Sequence, residues 1–446
     1  MKKIWAVLLA VVMVMVLVSC GEQQKGDAQT TKESEHQGNA SGMYKPFVAV
    51  QGVSDTEIVV GNTAATTGGF AGVGVPFNAG MQAAFKEYND AGGFHGKKIV
   101  FKHYDDGFDG AQGLVYTKQL VETDRIFALV GHFGTNTVGA TLDYIKEKGI
   151  PMVYAATGID ELYHENAQGN EKVVYPVQPI FTTEGRVLLA RAVANKENNL
   201  GLGGKKIGVI ATTDDAGEGL LSGIKIQAQN QGIEIKVQQV EPSATDYAAA
   251  VNTLKNAGCD VVIAAMNQAP LANMMASMRD ANYNANVITS YVNASPTTLG
   301  AFVQNGSVTA ERMIYATGWL DVGTDEGKAD FGKYAQAMAA WEMENGMSGS
   351  EYTLNAYAMA GYISGNIFVQ GLQAVENKGF ELNYENFVAV MEELEFKIPM
   401  GGSMNFRNGT RFGVSSFALV SISLEPNGGL LNVSPIMSLE ELLKEK

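Results

Sequence analysis

One stretch of the chain carries residues that could hold a small anion. Thr135 and Asn136 open an expected helix directly after the turn Gly131-His132-Phe133-Gly134, and Ala156-Thr157 follow the next apolar run, Ile150–Tyr154. Hydroxyls, an amide and the unpaired N–H groups of a helix start are the donors that a carboxylate needs. The same residues would also serve an ordinary strand–helix–strand unit with a conventional cap, and the residues alone leave both readings open. Chemistry of other kinds finds no set of residues. There is no G-x-S-x-G elbow and no H-E-x-x-H. The five histidines, at positions 36, 95, 103, 132 and 164, lack metal-ligand spacing. Gly203-Gly204-Lys205-Lys206 precedes a strand rather than a helix, so it is no phosphate loop. Gly72-Val73-Gly74 has Phe77 where a dinucleotide fingerprint would place its third glycine. The expectation is a protein that is not an enzyme and uses no cofactor or metal.

The elements that would position these residues alternate. Ile126–Val130 is an apolar run of buried-strand type, and the helix after it ends at Gly149. Before it stand a strand at Glu57–Val60, a glycine-rich loop, a helix from about Pro76, a strand from Gly96 to Asp106 and an amphipathic helix at Gly110–Asp124. A second run follows: strands at Lys205–Ala211, Ile233–Val240, Asp260–Ala265, Val287–Tyr291 and Met313–Ala316, with helices at Ala216–Gln231, Asp246–Ala257 and Pro270–Ala281 between them. Such alternation gives parallel sheets with helices on both faces. Long helices at Asp325–Glu344 and Tyr352–Val375, a shorter one at Glu385–Leu394 and a hairpin-like segment from Pro399 complete the chain. The fold class is α/β, with two doubly wound lobes joined by three crossover segments. One lobe takes 54–181 plus 318–400, the other 182–317 plus 401–436, and 437–446 is a tail. The cleft lies between the C-terminal edges of the two sheets.

Composition narrows the function classes. The chain has 446 residues and a net charge of −15, which argues against nucleic acid and against a polybasic hold on membrane lipids. Glycine, 51 residues, is about 11% against a usual ~7%, which fits many strand–helix turns. Two cysteines, Cys20 and Cys259, form no disulfide framework. Met1-Lys2-Lys3, an apolar core from Ile4 to Val18 and the ending Leu17-Val18-Ser19-Cys20-Gly21 resemble the leader and lipobox of bacterial lipoproteins. That resemblance implies removal of residues 1–19 and a lipid on Cys20. An ordinary signal peptide with a chance cysteine is the alternative. Gly21–Gly42 has almost no apolar residue and reads as a disordered tether, with 20–53 the expected segment between lipid and fold. The location implied is outside the cytoplasm, anchored to a membrane through Cys20.

Four phrases, in order, resemble the type I periplasmic binding proteins of ABC importers, and within them the leucine/isoleucine/valine-binding family. They are Asn89–Asp106, Val130–Thr157, Asp214–Lys225 and Phe406–Gly413. The resemblance covers nearly all of 55–436. It implies a monomeric receptor that closes on a small solute (an amino acid, amide or carboxylate) and delivers it to permease subunits. A sensor of the same fold, reporting to a separate signalling partner, is the alternative. Carried over residue by residue, Thr135 matches a hydroxyl that binds the ligand carboxylate, with Asn136 beside it. Ala156 matches a backbone contact, and Gly158, or Thr157 with a one-residue shift, the second hydroxyl. Asn267 stands where an aromatic residue often lines the far lobe, Ala216 and Val73 where tyrosines are common, and Phe108 and Gly134 replace a pair of cysteines. Tyr291 occupies the place of the acidic residue that holds the ligand ammonium. A buried ammonium without a partner is costly. Either Asp214 or Asp215 supplies the missing charge, or the ligand is not a simple α-amino acid.

Overall fold

The computed structural model describes residues 44–425 and 429–445. The leader, Cys20 and Gly21–Gly42 lie outside the described residues. In chain order the first elements are β1 (Glu57–Ala64), α1 (Ala71–Asp90), β2 (Lys98–Asp105), α2 (Gly110–Lys118), β3 (Ala128–Val130), α3 (Thr135–Lys148), β4 (Met152–Val153) and β5 (Val174–Tyr175). Their strands form one parallel sheet in the order β2-β1-β3-β4-β5. Val60 lies opposite Phe101 and Ala128, and Leu129 opposite Met152. The chain then supplies α4 (Phe181–Val193), β6 (Ile207–Thr212), α5 (Asp215–Gln231), β7 (Ile235–Val240), α6 (Ala248–Ala257), β8 (Val261–Ala265), α7 (Gln268–Asp280), β9 (Asn286–Thr289), α8 (Pro296–Gln304) and β10 (Ile314–Gly318). Every residue of β6 and β8 is buried, as expected of a parallel sheet covered on both faces.

After β10 the chain returns to the first sheet with α9 (Asp325–Glu344), α10 (Ala356–Asn377), α11 (Tyr384–Glu393) and the hairpin of β11 (Glu395–Ile398) and β12 (Gly402–Asn405). α10 packs on α1 almost backbone to backbone. A Cβ on Gly80 would lie 1.8 Å from the Ala358 carbonyl oxygen, and one on Gly361 1.8 Å from that of Phe77. Only glycine permits this approach. The chain then crosses again to β13 (Ser416–Ile422), β14 (Leu430–Ser438) and α12 (Leu439–Lys444). β13 runs antiparallel to β10, giving a mixed second sheet ordered β14-β13-β10-β9-β8-β6-β7. The result is the expected α/β architecture of two sheets linked by three crossings, with no barrel among the described residues.

Several boundaries differ from the sequence reading. The segment expected to be tether up to residue 53 is packed from Tyr44 onward. The Tyr44 hydroxyl donates to the Gly149 carbonyl at 2.6 Å, and Gln51 Nε2 donates to the carbonyls of Val121 and Ile126 at 2.8 and 3.1 Å. The last crossing falls after Arg411, not at Gly401. Arg411 is fully buried, donates to the carbonyls of Val174 and Lys172 on the first-sheet side, and pairs with Glu392. The expected tail holds α12, begun by a Ser438–Glu441 capping box, with Leu442 buried among Val187, Ala190 and Phe417. α1 begins at Ala71 rather than Pro76. Gly72 and Gly74 are therefore helical, and Gly74 lies against Ala65 so closely that a Cβ would fall 2.1 Å from its carbonyl oxygen. Packing here overrides the local preference of two glycines and a proline for a loop.

Candidate functional site

α3 begins where the chain has just left β3. Gly134, the residue before the helix, has φ +101°, a conformation open to glycine, and it offers no side chain to cap the N–H groups beyond it. Thr135 therefore stands at an uncapped helix start. Its hydroxyl lies 3.0 Å from that of Thr157, which follows β4. The two strands are neighbours, and the loops beyond them are held together by Ala156, whose N–H donates to the His132 carbonyl at 2.7 Å. Two hydroxyls in mutual contact share one hydrogen and leave the other unspent. Both face a cavity of about 1240 Å³.

That cavity is bounded on one side by the C-terminal ends of β3 and β4 and by the start of α1. On the other side it is bounded by the loops after β8, β9 and β10 and by β13 and β14. Val73, Thr135, Ala156, Thr157, Asn267 and Tyr291 line it. The other expected site residues do not. Asn136 is turned aside to donate to the Phe108 carbonyl. Gly158 packs under the first crossing, where its carbonyl accepts from Phe181 N at 2.6 Å and a Cβ would lie 2.3 Å from the Pro179 oxygen. Asp214 is spent on α5, accepting from Gly217 N at 3.0 Å and the Thr212 hydroxyl at 2.6 Å, and Ala216 is buried behind it. The reason is positional. Asp214 and Ala216 follow β6, whereas the wall of the cavity extends from β8 toward β14, away from the β6 side of the second sheet.

The sequence reading missed most of the lining. Phe70, Phe77, Phe133, Tyr154, Trp319 and Tyr357 face the cavity, and Phe108, which stands in place of a cysteine of the family, lines it while stacked on Phe70 with ring centroids 3.9 Å apart. A signal existed for three of them, since Phe133, Tyr154 and Trp319 each stand within a few residues of the C-terminal end of a strand. Tyr154 also adopts φ +58°, a left-handed conformation that costs a residue with a side chain roughly 1–2 kcal/mol. Its hydroxyl, fully buried, has no partner, and burial holds its pKa well above the ordinary tyrosine value.

Two buried groups brace this site without touching the cavity. Glu184 of α4 accepts the Ser290 hydroxyl and the Tyr291 N–H, both at 2.7 Å, and the Thr317 hydroxyl. It thereby ties the loop after β9 to the end of β10. Burial pushes its pKa up to about 7, against the pull of those three donors. Tyr291 is held at its other end by its hydroxyl, which donates to the Pro179 carbonyl at 3.1 Å. His132, in the turn before α3, is fully buried beneath the cavity. Its Nε2 lies 3.0 Å from the Thr141 hydroxyl, and desolvation lowers its pKa to about 3. Among the described residues no cluster of His, Cys, Asp or Glu could hold a metal ion, and no helix is long and apolar enough to cross a membrane. Cys259 is a buried free thiol.

The geometry can be set beside known proteins. A Leu/Ile/Val-binding protein homolog 3 from Brucella melitensis is 32% identical over 214 residues, 46% of this chain and 53% of that protein. The chain thus matches about half the length of that relative. A fatty acid ABC transporter substrate-binding protein from Thermomonospora curvata has the same fold, with a TM-score of 0.73, 18% identity and coverage of 90% of this chain and 96% of the other. A possible leucine/isoleucine/valine-binding protein from Rhodopirellula baltica gives a TM-score of 0.69 at 19% identity, over 89% of this chain and all of the other. The sequence profile described as "Periplasmic binding protein" matches residues 57–429, and the chain belongs to that family.

Proposed function

We propose that the protein is the extracytoplasmic solute-binding component of an ABC-type importer. It captures a small polar organic solute, amino-acid-like or a related carboxylate, between its two lobes and presents it to permease subunits. The observation that carries this reading is the cavity itself, faced by Thr135 and Thr157 from one sheet and by Asn267 and Tyr291 from the other. A solute touching both walls favours the closed arrangement by the difference in its contacts between open and closed states. A lipid on Cys20 holds the receptor at the membrane, and more than one acyl chain makes that hold stable. The protein works as a monomer.

Small-angle scattering tests the mechanism. The radius of gyration should fall when a saturating solute is added to solute-free protein. A radius unchanged by any solute that binds would end the receptor reading. Labelling cells with an alkyne fatty acid tests the anchor, and a Cys20→Ala protein should lose both the label and the membrane fraction.

A further inference from the structure

The cavity is built for one end of its ligand and not for the other. Donors collect at the Thr135–Thr157 pair, where one hydroxyl hydrogen and the uncapped N–H groups of α3 are unspent. From the facing lobe, Asn267 presents an Nδ2 with no partner although the residue is only 6% exposed, and its side chain does not cap α7. The orphan hydroxyl of Tyr154 is a third donor on the wall. Buried polar groups without partners are rare, and two of them around one cavity, beside the spare hydrogen of the threonine pair, mark where acceptor atoms of a ligand sit.

Nothing comparable awaits a cation. Among the described lining residues Glu425 is the one that carries a charge, and it is exposed at the end of the β13 strand, where water screens it. Asp214 caps a helix outside the cavity. The rest of the wall is mostly hydrocarbon and aromatic, from Phe70 and Phe108 at the first lobe to Val420, Leu424 and Leu430 beside the last strands, with neutral polar side chains such as Gln178, Gln268 and Asn432 between them. It extends across β8, β9, β10, β13 and β14, five adjacent strands, or about 19 Å at the usual strand spacing. Such a slot accommodates a body longer than a leucine side chain. Aromatic faces can also attract a cation. Here, however, Phe70 and Phe108 stack on each other, Phe77 packs against Phe133 and Tyr154, phenylalanine is weaker than tryptophan in this role, and Trp319, the tryptophan on the wall, is only 5% exposed.

We infer that the ligand is a hydrophobic carboxylate without an ammonium group: a carboxylate head at Thr135, Thr157 and Asn267, joined to an aryl or extended alkyl body in the apolar slot. The inference rests on the solute-receptor reading and deepens it.

Matched pairs decide it. Calorimetric titration of purified, solute-stripped protein would compare 3-phenylpropanoate with L-phenylalanine, and 4-methylpentanoate with L-leucine. Each pair differs only by the α-ammonium. The expected result is that both deaminated acids bind at least tenfold more tightly than their amino acids. Tighter binding of either amino acid overturns the inference, as does tighter binding of glycine betaine than of both acids. In each of those cases the receptor reading stands, because a solute has bound. Failure of all five probes also overturns it. Analysis of small molecules released from the protein purified out of its native membrane then tells whether another solute is carried or the receptor reading fails as well. An Asn267→Leu variant should weaken 3-phenylpropanoate at least tenfold while leaving circular dichroism and melting unchanged, since the side chain caps nothing. Unchanged affinity in that variant would remove Asn267 from the head-group site and overturn its assignment.

Discussion

Glu184 and Tyr291 are joined through one hydrogen bond, 2.7 Å from the Tyr291 N–H to a carboxylate that is wholly buried. The bond fixes the backbone of a residue on the cavity wall from behind, and it makes the wall sensitive to pH. The Glu184 pKa of about 7 in the folded protein lies above its value of about 4.3 in an unfolded chain. Folding thus favours the neutral acid. The contribution is fully present below about pH 4 and is lost as pH rises through 7, by roughly 4 kcal/mol in all. His132 has the opposite sign. Its folded pKa, near 3, is below the unfolded ~6.5, so its contribution is present above pH 6.5 and is lost as pH falls toward 3. Between pH 4.5 and 6.5 the two slopes oppose each other. A Glu184→Gln protein should expose the His132 slope and gain stability steadily as pH rises from 4.5 to 6.5. Urea unfolding at four pH values reads this directly, and a variant with the parent's pH profile would refute it.

Thr135→Val keeps the shape of the side chain and removes its hydroxyl. A hydrogen bond to a charged group contributes about 1.5–3 kcal/mol, so affinity for 3-phenylpropanoate should fall roughly 10- to 150-fold. Fold stability should drop by only about 1 kcal/mol, the worth of the bond to Thr157. Titration and thermal melting separate the two effects. A large loss of melting temperature with intact binding would mean that Thr135 supports the turn and does not hold the ligand.

Gly134→Ala places a Cβ at φ +101°, about 3.0 Å from the ring of Phe108. Backbone strain of this kind costs about 1–3 kcal/mol, and the ring must shift as well. The prediction is a less stable protein with weaker solute binding, because the strain falls at the start of α3. Melting within 1 °C of the parent would show that the turn adapts without cost.

Arg411 is the pin of the last crossing. Its guanidinium lies 4.9 Å from the ring centroid of Tyr175 and 5.2 Å from that of Phe406, and it pairs with Glu392. Lysine keeps the charge but cannot reproduce the planar fork that reaches Val174, Lys172 and Glu392 together. Arg411→Lys should cost about 3 kcal/mol, toward the lower end of a broken buried pair, and Arg411→Met more. Denaturant midpoints that place lysine level with arginine would contradict the role of the fork.

What the sequence determined by itself is the architecture and one part of the cavity wall. Strand and helix periods, glycine stops and the order of four phrases were enough for two α/β lobes and three crossings, because those signals are local. Thr135, Ala156 and Thr157 were legible for the same reason: they follow strand ends directly, and strand ends in such sheets face the cleft. The tertiary structure decided the rest. Asp214 follows a strand end too, yet its strand lies on the side of the sheet away from the cavity, and only sheet order reveals this. Tyr357 belongs to α10 and reaches the cavity from a helix that packs on the first lobe, through a chain return no local pattern encodes. Glu184 looks like an ordinary acidic residue in the first turn of a helix. Its burial, its three donors and its hold on Tyr291, 107 residues away, exist only once both sheets are assembled, because burial and long-range pairing are properties of the packed chain rather than of any stretch of it.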